Sequence, residues 1–324
     1  MSLVLLADIG GTNTRVALAD GASVRFDSIR RFSNADYQAR GQDIAHVLQD
    51  YLSQTGATVG GVCVAAAGPV QDGVATMTNL DWVMDAAKLS AATGAKKVAL
   101  LNDLQAQGEA LGHIPAANLR TVLSGPKKAN AAMLVVGLGT GVNAAPVHIS
   151  SSGRLVPPSE CGHVNMPIRT DEDLRLARFI EAKLKLDGEA PHAGVEEVLS
   201  GRGLANLYAF AAFENGHPAT LSSAEIFQAL ETGDRLAADA ARLYVHILGQ
   251  MLADLALVHL PYGGIYLIGG MSRAMAGHFA RYGLESAFRE ARRVDLLQRE
   301  FSITVVEDDF AALTGCATYL NSIA

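Results

Sequence analysis

The sequence predicts an α/β protein built from two domains. Short apolar runs typical of buried strands alternate with segments of helical periodicity along the whole chain. The 324 residues are enough for about two domains, and 49% of them are hydrophobic, so the chain can bury a sizeable core. Both halves open with an apolar strand, a glycine-rich turn and a second strand, which indicates a faint internal duplication.

The composition excludes several classes of protein. A net charge of −7 and the lack of a basic run argue against nucleic-acid binding. The three cysteines, Cys63, Cys161 and Cys316, are isolated and predict neither a disulfide framework nor a structural zinc site. No signal peptide is recognisable and no apolar run reaches membrane-spanning length. We therefore expect a soluble, cytoplasmic protein without a membrane partner.

In the first half, apolar runs predict strands, whereas apolar positions three and four residues apart predict helices. The strands are expected at residues 3–7, 16–19, 23–32, 59–67 and 97–101, and the helices at 43–52, 85–93 and 103–111. Residues 113–130 contain Pro115, Gly125 and Pro126 and predict the first domain boundary.

The second half repeats the alternation but is richer in helices. Strands are expected at residues 132–136, 142–149, 265–268 and 301–306, and helices at 171–186, 200–213, 222–230, 234–260, from about 272, and at 310–320. The helix at 234–260 carries a broad apolar side, and Pro261 ends it.

The first glycine turn follows the first strand. Asp8 closes that strand, Gly10 and Gly11 are expected to turn the chain through positive φ, and Thr12 and Asn13 supply polar groups. Such a turn can direct several backbone N–H groups at a phosphate, and Asp8 can hold Mg²⁺ directly or through water. The alternative is a β-hairpin with a solvated polar tip.

A second glycine turn, from Gly137 through Gly139 and Thr140 to Gly141, follows the strand at 132–136. It lacks the spacing of a dinucleotide-binding fingerprint, and no Gly-Lys-Ser/Thr follows as in a Walker A loop. The pattern favours a second phosphate-facing hairpin, with Thr140 and backbone N–H groups as donors. An ordinary tight turn is the alternative.

Asn102 and Asp103 lie where an apolar strand passes into a helix. Ligands of open α/β sheets bind at the carboxyl ends of strands, and the helix dipole favours an ionised carboxylate there. Asp103 is therefore a candidate to accept a proton from a sugar hydroxyl that attacks phosphorus. The alternative is that Asp103 merely caps the helix.

Other polar residues lie in predicted loops. Glu160 and His163 can grip neighbouring sugar hydroxyls, or can belong to an ordinary surface loop. Glu196 precedes a predicted turn, and Thr78 and Asn79 are further candidates to face a ligand.

Seven motifs in one order resemble the ATP-dependent glucokinases of proteobacteria. They begin at Asp8, Met77, Leu101, Gly137, Glu160, Glu196 and Ile268, and they read DIGGTN, MTN, LND, GLGTG, ECGH, EEVLSG and IGGM. The resemblance spans nearly the whole chain. Two features differ from related families: Cys161 stands where a small residue is usual, and the cysteine-rich zinc motif of the repressor and sugar kinase (ROK) family is absent.

The resemblance implies the two-domain, actin-like ATPase fold, which is ribonuclease H-like and has an interdomain cleft. It implies a small domain at 1–112 plus about 304–324, a large domain at about 113–303, and a homodimer. It implies that glucose and ATP are the substrates, with Mg²⁺ as cofactor, and that Asp103 is the general base. The implied sugar ligands are Thr78, Asn79, Asn102, Asp103, Glu160, His163 and Glu196. The implied nucleotide ligands are Ala7, Asp8, Ile9, Gly10, Gly11, Thr12, Asn13, Gly137, Gly139, Thr140, Gly141, Gly269 and Gly270.

Two other functions remain open at the level of sequence. One is a kinase for mannose, fructose or an amino sugar, because the orientation of a single hydroxyl decides the specificity. The other is a sugar-sensing regulator without catalysis, although the acidic charge does not favour DNA binding.

Overall fold

The computed structural model describes residues 3–77, 80–150 and 153–323, and the chain divides into two compact units. Unit 1 comprises Met1–Asn118, Ser150–Pro158 and Asp308–Ala324, and unit 2 comprises Leu119–Ile149 and Ser159–Glu307. The divisions lie at 118 and 307 rather than at the expected 112 and 304. The segment Ser150–Pro158 also belongs to unit 1, which the sequence analysis did not predict.

Strands and helices alternate in both units, as the sequence predicts. The strands are β1 Leu3–Ile9, β2 Asn13–Asp20, β3 Ser23–Ser33, β4 Val59–Ala66, β5 Val70–Gln71, β6 Val74–Thr76, β7 Val83–Asp85, β8 Lys97–Asn102, β9 Leu119–Leu123, β10 Met133–Leu138, β11 Val142–Ser150, β12 Gly153–Leu155, β13 Ile265–Ile268 and β14 Ile303–Val306. The helices are α1 Asn34–Gln38, α2 Ile44–Thr55, α3 Ala86–Thr93, α4 Asp103–Ala110, α5 Asp171–Leu186, α6 Glu196–Leu199, α7 Gly201–Glu214, α8 Ser223–Glu231, α9 Arg235–His259, α10 Gly270–Met275, α11 Leu284–Phe288, α12 Leu296–Arg299 and α13 Ala311–Ser322.

The main sheet of unit 1 has the strand order β3-β2-β1-β4-β8. The neighbours β3, β2 and β1 are antiparallel, whereas β4 and β8 continue the sheet in parallel to β1. Because β1, β4 and β8 run in one direction, Ile9, Ala66 and Asn102 end their strands at one edge of the sheet. A separate small sheet is formed by β5, β6 and β7.

The sheet of unit 2 repeats this arrangement. Within unit 2, β11, β10, β13, β14 and β9 lie side by side in that order. The hairpin β10–β11 is antiparallel, and β13 and β14 continue it in parallel, as β4 and β8 do in unit 1. The edge strand β9 is antiparallel to β14 and was not predicted, because residues 113–130 were assigned to a domain boundary.

Helix ends follow the local sequence signals. The Asp43 side chain accepts a hydrogen bond from the Ala45 N–H at the start of α2. The Asp85 carboxylate accepts from the N–H groups of Ala87 and Lys88 at the start of α3. Gly94 ends α3 in the left-handed region at φ 70°, where glycine carries no Cβ penalty. These caps explain why the predicted helix bounds lie within a few residues of the observed ones.

The helix α13 completes the core of unit 1. It packs on β1, β4 and α4 and buries Leu313, Cys316 and Ala317.

Unit 2 is centred on α9. The length and composition of this helix would suit a membrane span, contrary to the sequence prediction. However, 67% of its most apolar 18-residue window is buried inside the protein. Among the described residues, α9 therefore serves as a core helix.

Candidate active site

The first glycine turn joins β1 to β2 at the edge of the unit 1 sheet. Ile9 is the last residue of β1 and Asn13 is the first of β2, and the Gly10 N–H donates to the Asn13 carbonyl at 3.0 Å. Gly11 and Thr12 are exposed at the tip. The structure therefore confirms a strand, a turn and a strand, with the backbone of the tip open to solvent.

The predicted reason for the glycines is wrong. Neither Gly10 nor Gly11 has φ in the left-handed region, and the same is true of Gly139 and Gly141 in the second turn. Among the described residues, no heavy atom lies within 4 Å of a Cβ built at Gly11 or Gly139. Within this described part of the chain, neither position requires glycine for a left-handed φ or for packing, and both leave room for a ligand to approach the backbone.

Asp8 lies on β1 just before this turn. Its carboxylate is 3.1 Å from Nη1 of Arg15 on β2. Burial raises the pKa of Asp8, and the charge and hydrogen bond of Arg15 oppose that rise. No group of three or more His, Cys, Asp or Glu in residues 3–77, 80–150 and 153–323 is arranged to hold a metal ion. Asp8 alone can hold Mg²⁺ only together with water and a phosphate ligand, which is the usual coordination of that ion.

The Asn102–Asp103 pair resolves one alternative left open by the sequence. Asn102, rather than Asp103, caps α4: its Oδ1 accepts from the Leu104 N–H at 3.0 Å, and its Nδ2 donates to the Gly68 carbonyl at 2.9 Å. Asp103 is the first residue of α4 and accepts from the Leu104 N–H at 2.8 Å. The Asp103 carboxylate thus lies in the first turn of α4, directly after the capping residue.

The second glycine turn joins β10 to β11 in unit 2. The Gly139 N–H donates to the Gly141 carbonyl at 3.0 Å, and the Gly139 carbonyl accepts from the Gly201 N–H at the start of α7 at 2.9 Å. Thr140 is exposed at the tip, between these glycines. A backbone hydrogen bond thus fixes the hairpin to α7, and the tip of the hairpin remains exposed.

Gly269 and Gly270 adjoin the base of the same hairpin. Gly269 has φ 96°, and a Cβ there would lie 2.3 Å from the Leu138 carbonyl oxygen, so only glycine fits. Gly270 begins α10, and a Cβ there would meet nothing within 4 Å. Both glycines therefore lie beside the second phosphate-loop candidate.

The loop from Glu160 to His163 also reaches this hairpin. Cys161–His163 form a 3-10 turn in which the His163 N–H donates to the Glu160 carbonyl at 3.1 Å. Glu160 and His163 are exposed, whereas Gly162 is buried. A Cβ at Gly162 would lie 2.1 Å from the Val142 carbonyl oxygen, so this close approach requires glycine. Burial raises the pKa of the Cys161 thiol, which fits a packing role.

Glu196 links the loop to the hairpin. Its Oε2 accepts from the Val142 N–H at 2.9 Å and lies 3.3 Å from the Cβ position of Gly162. Arg202 is 3.6 Å from the other carboxylate oxygen. The sequence analysis gave Glu196 no chemical reason of its own, but within unit 2 it contacts two other predicted site segments.

Two asparagines near these segments were missed. Asn143 accepts from the N–H groups of Ala144 at 2.8 Å and Cys161 at 3.2 Å, and its Nδ2 donates to the Ser159 carbonyl. Asn34 bonds to the first glycine turn through Gly10 at 2.8 Å. Their only sequence signal is a polar residue next to a predicted strand or turn, which is too common to single out.

The predicted residues are divided between the units. Unit 1 carries residues 7–13 with Asn102 and Asp103, and unit 2 carries residues 137–141, Glu160, His163, Glu196 and residues 269–270. Thr78 and Asn79 lie outside the described residues.

Comparisons with known proteins agree with this arrangement of motifs. The family model described as glucokinase matches residues 5–323. A curated relative, the glucokinase of Brucella melitensis biotype 1, is 30% identical over 321 residues, which cover 98% of this chain and 91% of the relative. A second relative, the glucokinase of Pectobacterium atrosepticum, is 28% identical, and the aligned region covers 99% of this chain and 97% of the relative.

Solved structures share the fold over the whole chain. The crystal structure of a glucokinase from an Antarctic psychrotroph has a TM-score of 0.87 and 27% identity, and it covers 99% of both chains. A ROK family glucokinase from Streptomyces griseus, in complex with glucose and AMPPNP, has a TM-score of 0.65 and 20% identity. The match covers 97% of this chain and 98% of that protein's chain. The predicted α/β, two-domain actin-like fold is thereby confirmed.

Proposed function

This chain belongs to the glucokinase family and is a hexose kinase, and on that premise we propose that it transfers the γ-phosphoryl group of ATP to the 6-hydroxyl of D-glucose. The products are glucose 6-phosphate and ADP. The glucose and AMPPNP bound to the Streptomyces griseus neighbour support this choice of sugar and nucleotide.

One observation carries the proposal. Glu196 accepts from the N–H of Val142, the residue directly after the second glycine turn, and it packs on Gly162 inside the Glu160–His163 loop. A candidate sugar ligand is therefore in direct contact with the candidate phosphate hairpin. Kinase chemistry needs that proximity, because the sugar hydroxyl must meet the terminal phosphate in line.

We assign the phosphates of ATP to the two glycine turns. The exposed backbone at residues 10–13 and 137–141 offers N–H groups, and Gly11, Gly139 and Gly270 present no side chain to an approaching ligand. Donors held in place before the reaction stabilise charge on the transferred group without reorganisation. Gly269 and Gly270 would contact the adenosine.

We assign the sugar to Asn102, Glu160, His163 and Glu196, with Thr78 and Asn79 added from the family resemblance. Asp103 would accept the proton of the 6-hydroxyl as its oxygen attacks phosphorus. A carboxylate in the first turn of a helix is a weak base, but a loose phosphoryl transfer depends mainly on positioning and needs no stronger one.

Asp8 is the residue that would hold Mg²⁺, through water and together with the nucleotide phosphates. A single carboxylate paired with Arg15 fits that outer coordination better than a direct protein cage. When bound, the ion supplies positive charge that neutralises the phosphate oxygens. We further propose a cytoplasmic homodimer, which the family resemblance supports.

The test is ADP release by the purified protein with Mg-ATP and a panel of glucose, mannose, fructose and glucosamine. We expect glucose to give the highest kcat/KM and NMR to locate the phosphate on C6. A preference for another hexose would replace glucose as the substrate, and silence with every sugar would favour the regulator.

The proposed base is tested by Asp103→Asn, which keeps size and hydrogen bonding but removes the proton acceptor. We expect kcat to fall by about a thousandfold or more while calorimetry still detects glucose binding. Asp171→Asn is the matched control, since Asp171 is an exposed aspartate in the first turn of α5. Near-normal turnover of Asp103→Asn would reject the assignment.

A further inference from the structure

Asn34 is a buried side chain attached to the first glycine turn, and neither the motifs nor the comparisons assign it a role. Resting on the proposed function, we propose that Asn34 is a positioning residue that sets the direction of the backbone N–H groups which bind nucleotide phosphate. It is the first residue of α1 and is 1% exposed.

Three hydrogen bonds join Asn34 to the turn and to the strand after it. Its Nδ2 donates to the Gly10 carbonyl at 2.8 Å, and its backbone N–H donates to the Thr12 carbonyl at 3.0 Å. Its Oδ1 accepts from Thr14 Oγ1 at 2.8 Å, and Thr14 is fully buried. One residue therefore holds the carbonyls of Gly10 and Thr12, the residues on either side of Gly11.

These bonds determine where the N–H groups of the turn point. In a trans peptide the C=O and the following N–H are directed oppositely, and the described chain has no cis peptide. A Gly10 carbonyl held by Nδ2 therefore directs the Gly11 N–H away from Asn34. The Thr12 carbonyl, held by the Asn34 backbone N–H, does the same for the Asn13 N–H.

The tip of the turn is open to solvent, whereas Asn34 is buried beneath it. Gly11 and Thr12 are exposed, and a Cβ at Gly11 would meet no described atom within 4 Å. The N–H groups that Asn34 directs are thus turned towards space that an anion can enter, as in a backbone nest for phosphate.

The glycines cannot fix this shape by themselves. Neither Gly10 nor Gly11 occupies the left-handed region that would restrict the turn to one conformation. Glycine instead widens the range of conformations available to the free chain. The hydrogen bond from the Gly10 N–H to the Asn13 carbonyl closes the base of the turn, and Asn34 constrains the Gly10 and Thr12 carbonyls from outside it.

Thr14 fixes the orientation of the Asn34 amide. If the side-chain amide of Asn34 were rotated by 180°, its Oδ1 would face the Gly10 carbonyl oxygen across 2.8 Å, and the two acceptor oxygens would repel each other. The Thr14 hydroxyl, donating to Oδ1, selects the productive orientation. The Thr14 hydroxyl therefore acts on the turn through Asn34.

The experiment measures KM for ATP and for glucose separately, with AMPPNP binding by calorimetry, in Asn34→Ala, Asn34→Asp, Thr14→Val and the conservative Thr14→Ser. We expect Asn34→Ala and Asn34→Asp to raise KM for ATP by about tenfold while KM for glucose stays within about twofold. Thr14→Val should show the same split to a smaller degree, and Thr14→Ser should restore the parent values. Thr14→Val should add little to Asn34→Ala, because both act on one amide.

Tyr51→Phe is the matched structural control. It also removes one hydrogen bond of a buried unit 1 side chain, from Tyr51 Oη to the Ser28 carbonyl at 2.8 Å, but leaves the turn alone. Both KM values of this variant should match those of the parent. If Asn34→Ala does not fold, Thr14→Val and its rescue by Thr14→Ser carry the test.

Two results would overturn the inference. One is an unchanged KM for ATP in Asn34→Ala and Thr14→Val, and the other is an equal rise in KM for both substrates in those variants. A parent enzyme that neither turns over nor binds AMPPNP would overturn the proposed function itself, and the role of Asn34 with it.

Discussion

The carboxylate of Glu196 accepts a hydrogen bond from the backbone N–H of Val142 across 2.9 Å. This bond connects the start of α6 to the first residue after a glycine turn that lies 54 positions earlier in the chain. The same oxygen lies 2.9 Å from the Cβ position of Gly141, so any side chain there would displace it. Within unit 2, the Glu196 carboxylate and the second glycine turn are therefore held in direct contact.

Glu196→Gln should weaken glucose binding. The amide keeps one oxygen acceptor but loses the charge that strengthens hydrogen bonds to sugar hydroxyls, so KM for glucose should rise by about 10–100-fold. KM for ATP should change less. Separate titrations of the two substrates measure the split, and Glu214→Gln, which alters an ion pair with Arg175 on the surface, is the control. An unchanged KM for glucose would remove Glu196 from the sugar site.

Gly11→Ala should leave the fold intact and impair ATP binding. Its φ is not in the left-handed region and the added methyl group meets no protein atom, so the unfolding free energy should change by less than about 0.5 kcal/mol. The methyl group would occupy the space assigned to phosphate and raise KM for ATP. Gly277→Ala is matched, since Gly277 is also exposed, has no positive φ and has no neighbour within 4 Å. Equal KM values for ATP in both variants would contradict the assignment.

Gly269→Ala and Gly270→Ala should differ sharply in stability although the positions are adjacent. Alanine at 269 combines φ 96° with a Cβ placed 2.3 Å from the Leu138 carbonyl oxygen, and we expect a loss of about 2–4 kcal/mol. Alanine at 270 meets nothing within 4 Å and begins a helix, so we expect about 0.5 kcal/mol or less. Urea unfolding of the two variants decides this, and equal losses would refute the steric argument.

Glu109→Gln should become relatively more stable as the pH rises. Burial raises the pKa of Glu109 in the folded chain, and the charge of Arg154 only partly opposes this. The folded state therefore holds this proton more tightly than the unfolded state, whose reference pKa is about 4.3. As pH rises from there to the folded pKa, the parent loses stability that the neutral amide cannot lose.

The measurement is urea unfolding of the parent and of Glu109→Gln at pH values from about 4 to 8. This range spans the titration of a buried carboxyl group in the parent. The difference in unfolding free energy should grow in favour of the variant and then become constant. A difference that moves towards the parent as pH rises would mean that attraction by Arg154 exceeds the cost of burial.

The order of strands and helices was predictable because each buried strand is a short apolar run and most helices carry a cap signal. Asp85 and Gly94, for example, mark both ends of α3. The strand β9 was not predictable, because its five residues lie among prolines and glycines and gain their pairing only from β14, about 180 positions later.

The candidate site was predictable where residue types form a motif, as at Asp8, Asn102 with Asp103, and Glu160 with His163. Asn34 and Asn143 were not, because each acts through contacts with backbone groups distant in sequence. The backbone conformation of the glycine turns was also not predictable, since a glycine with φ in the left-handed region and one without it are the same letter in the sequence.

The route of the chain has a consequence for biogenesis. The polypeptide passes from one unit to the other four times, after residues 118, 149, 158 and 307. Unit 1 contributes the first described strand, yet α13, which covers Leu6, Cys63 and Leu101 on its sheet, follows all the other described elements in the sequence. Those apolar surfaces stay uncovered until α13 has been synthesised, and exposed apolar surface of this kind makes a partly folded chain prone to aggregate.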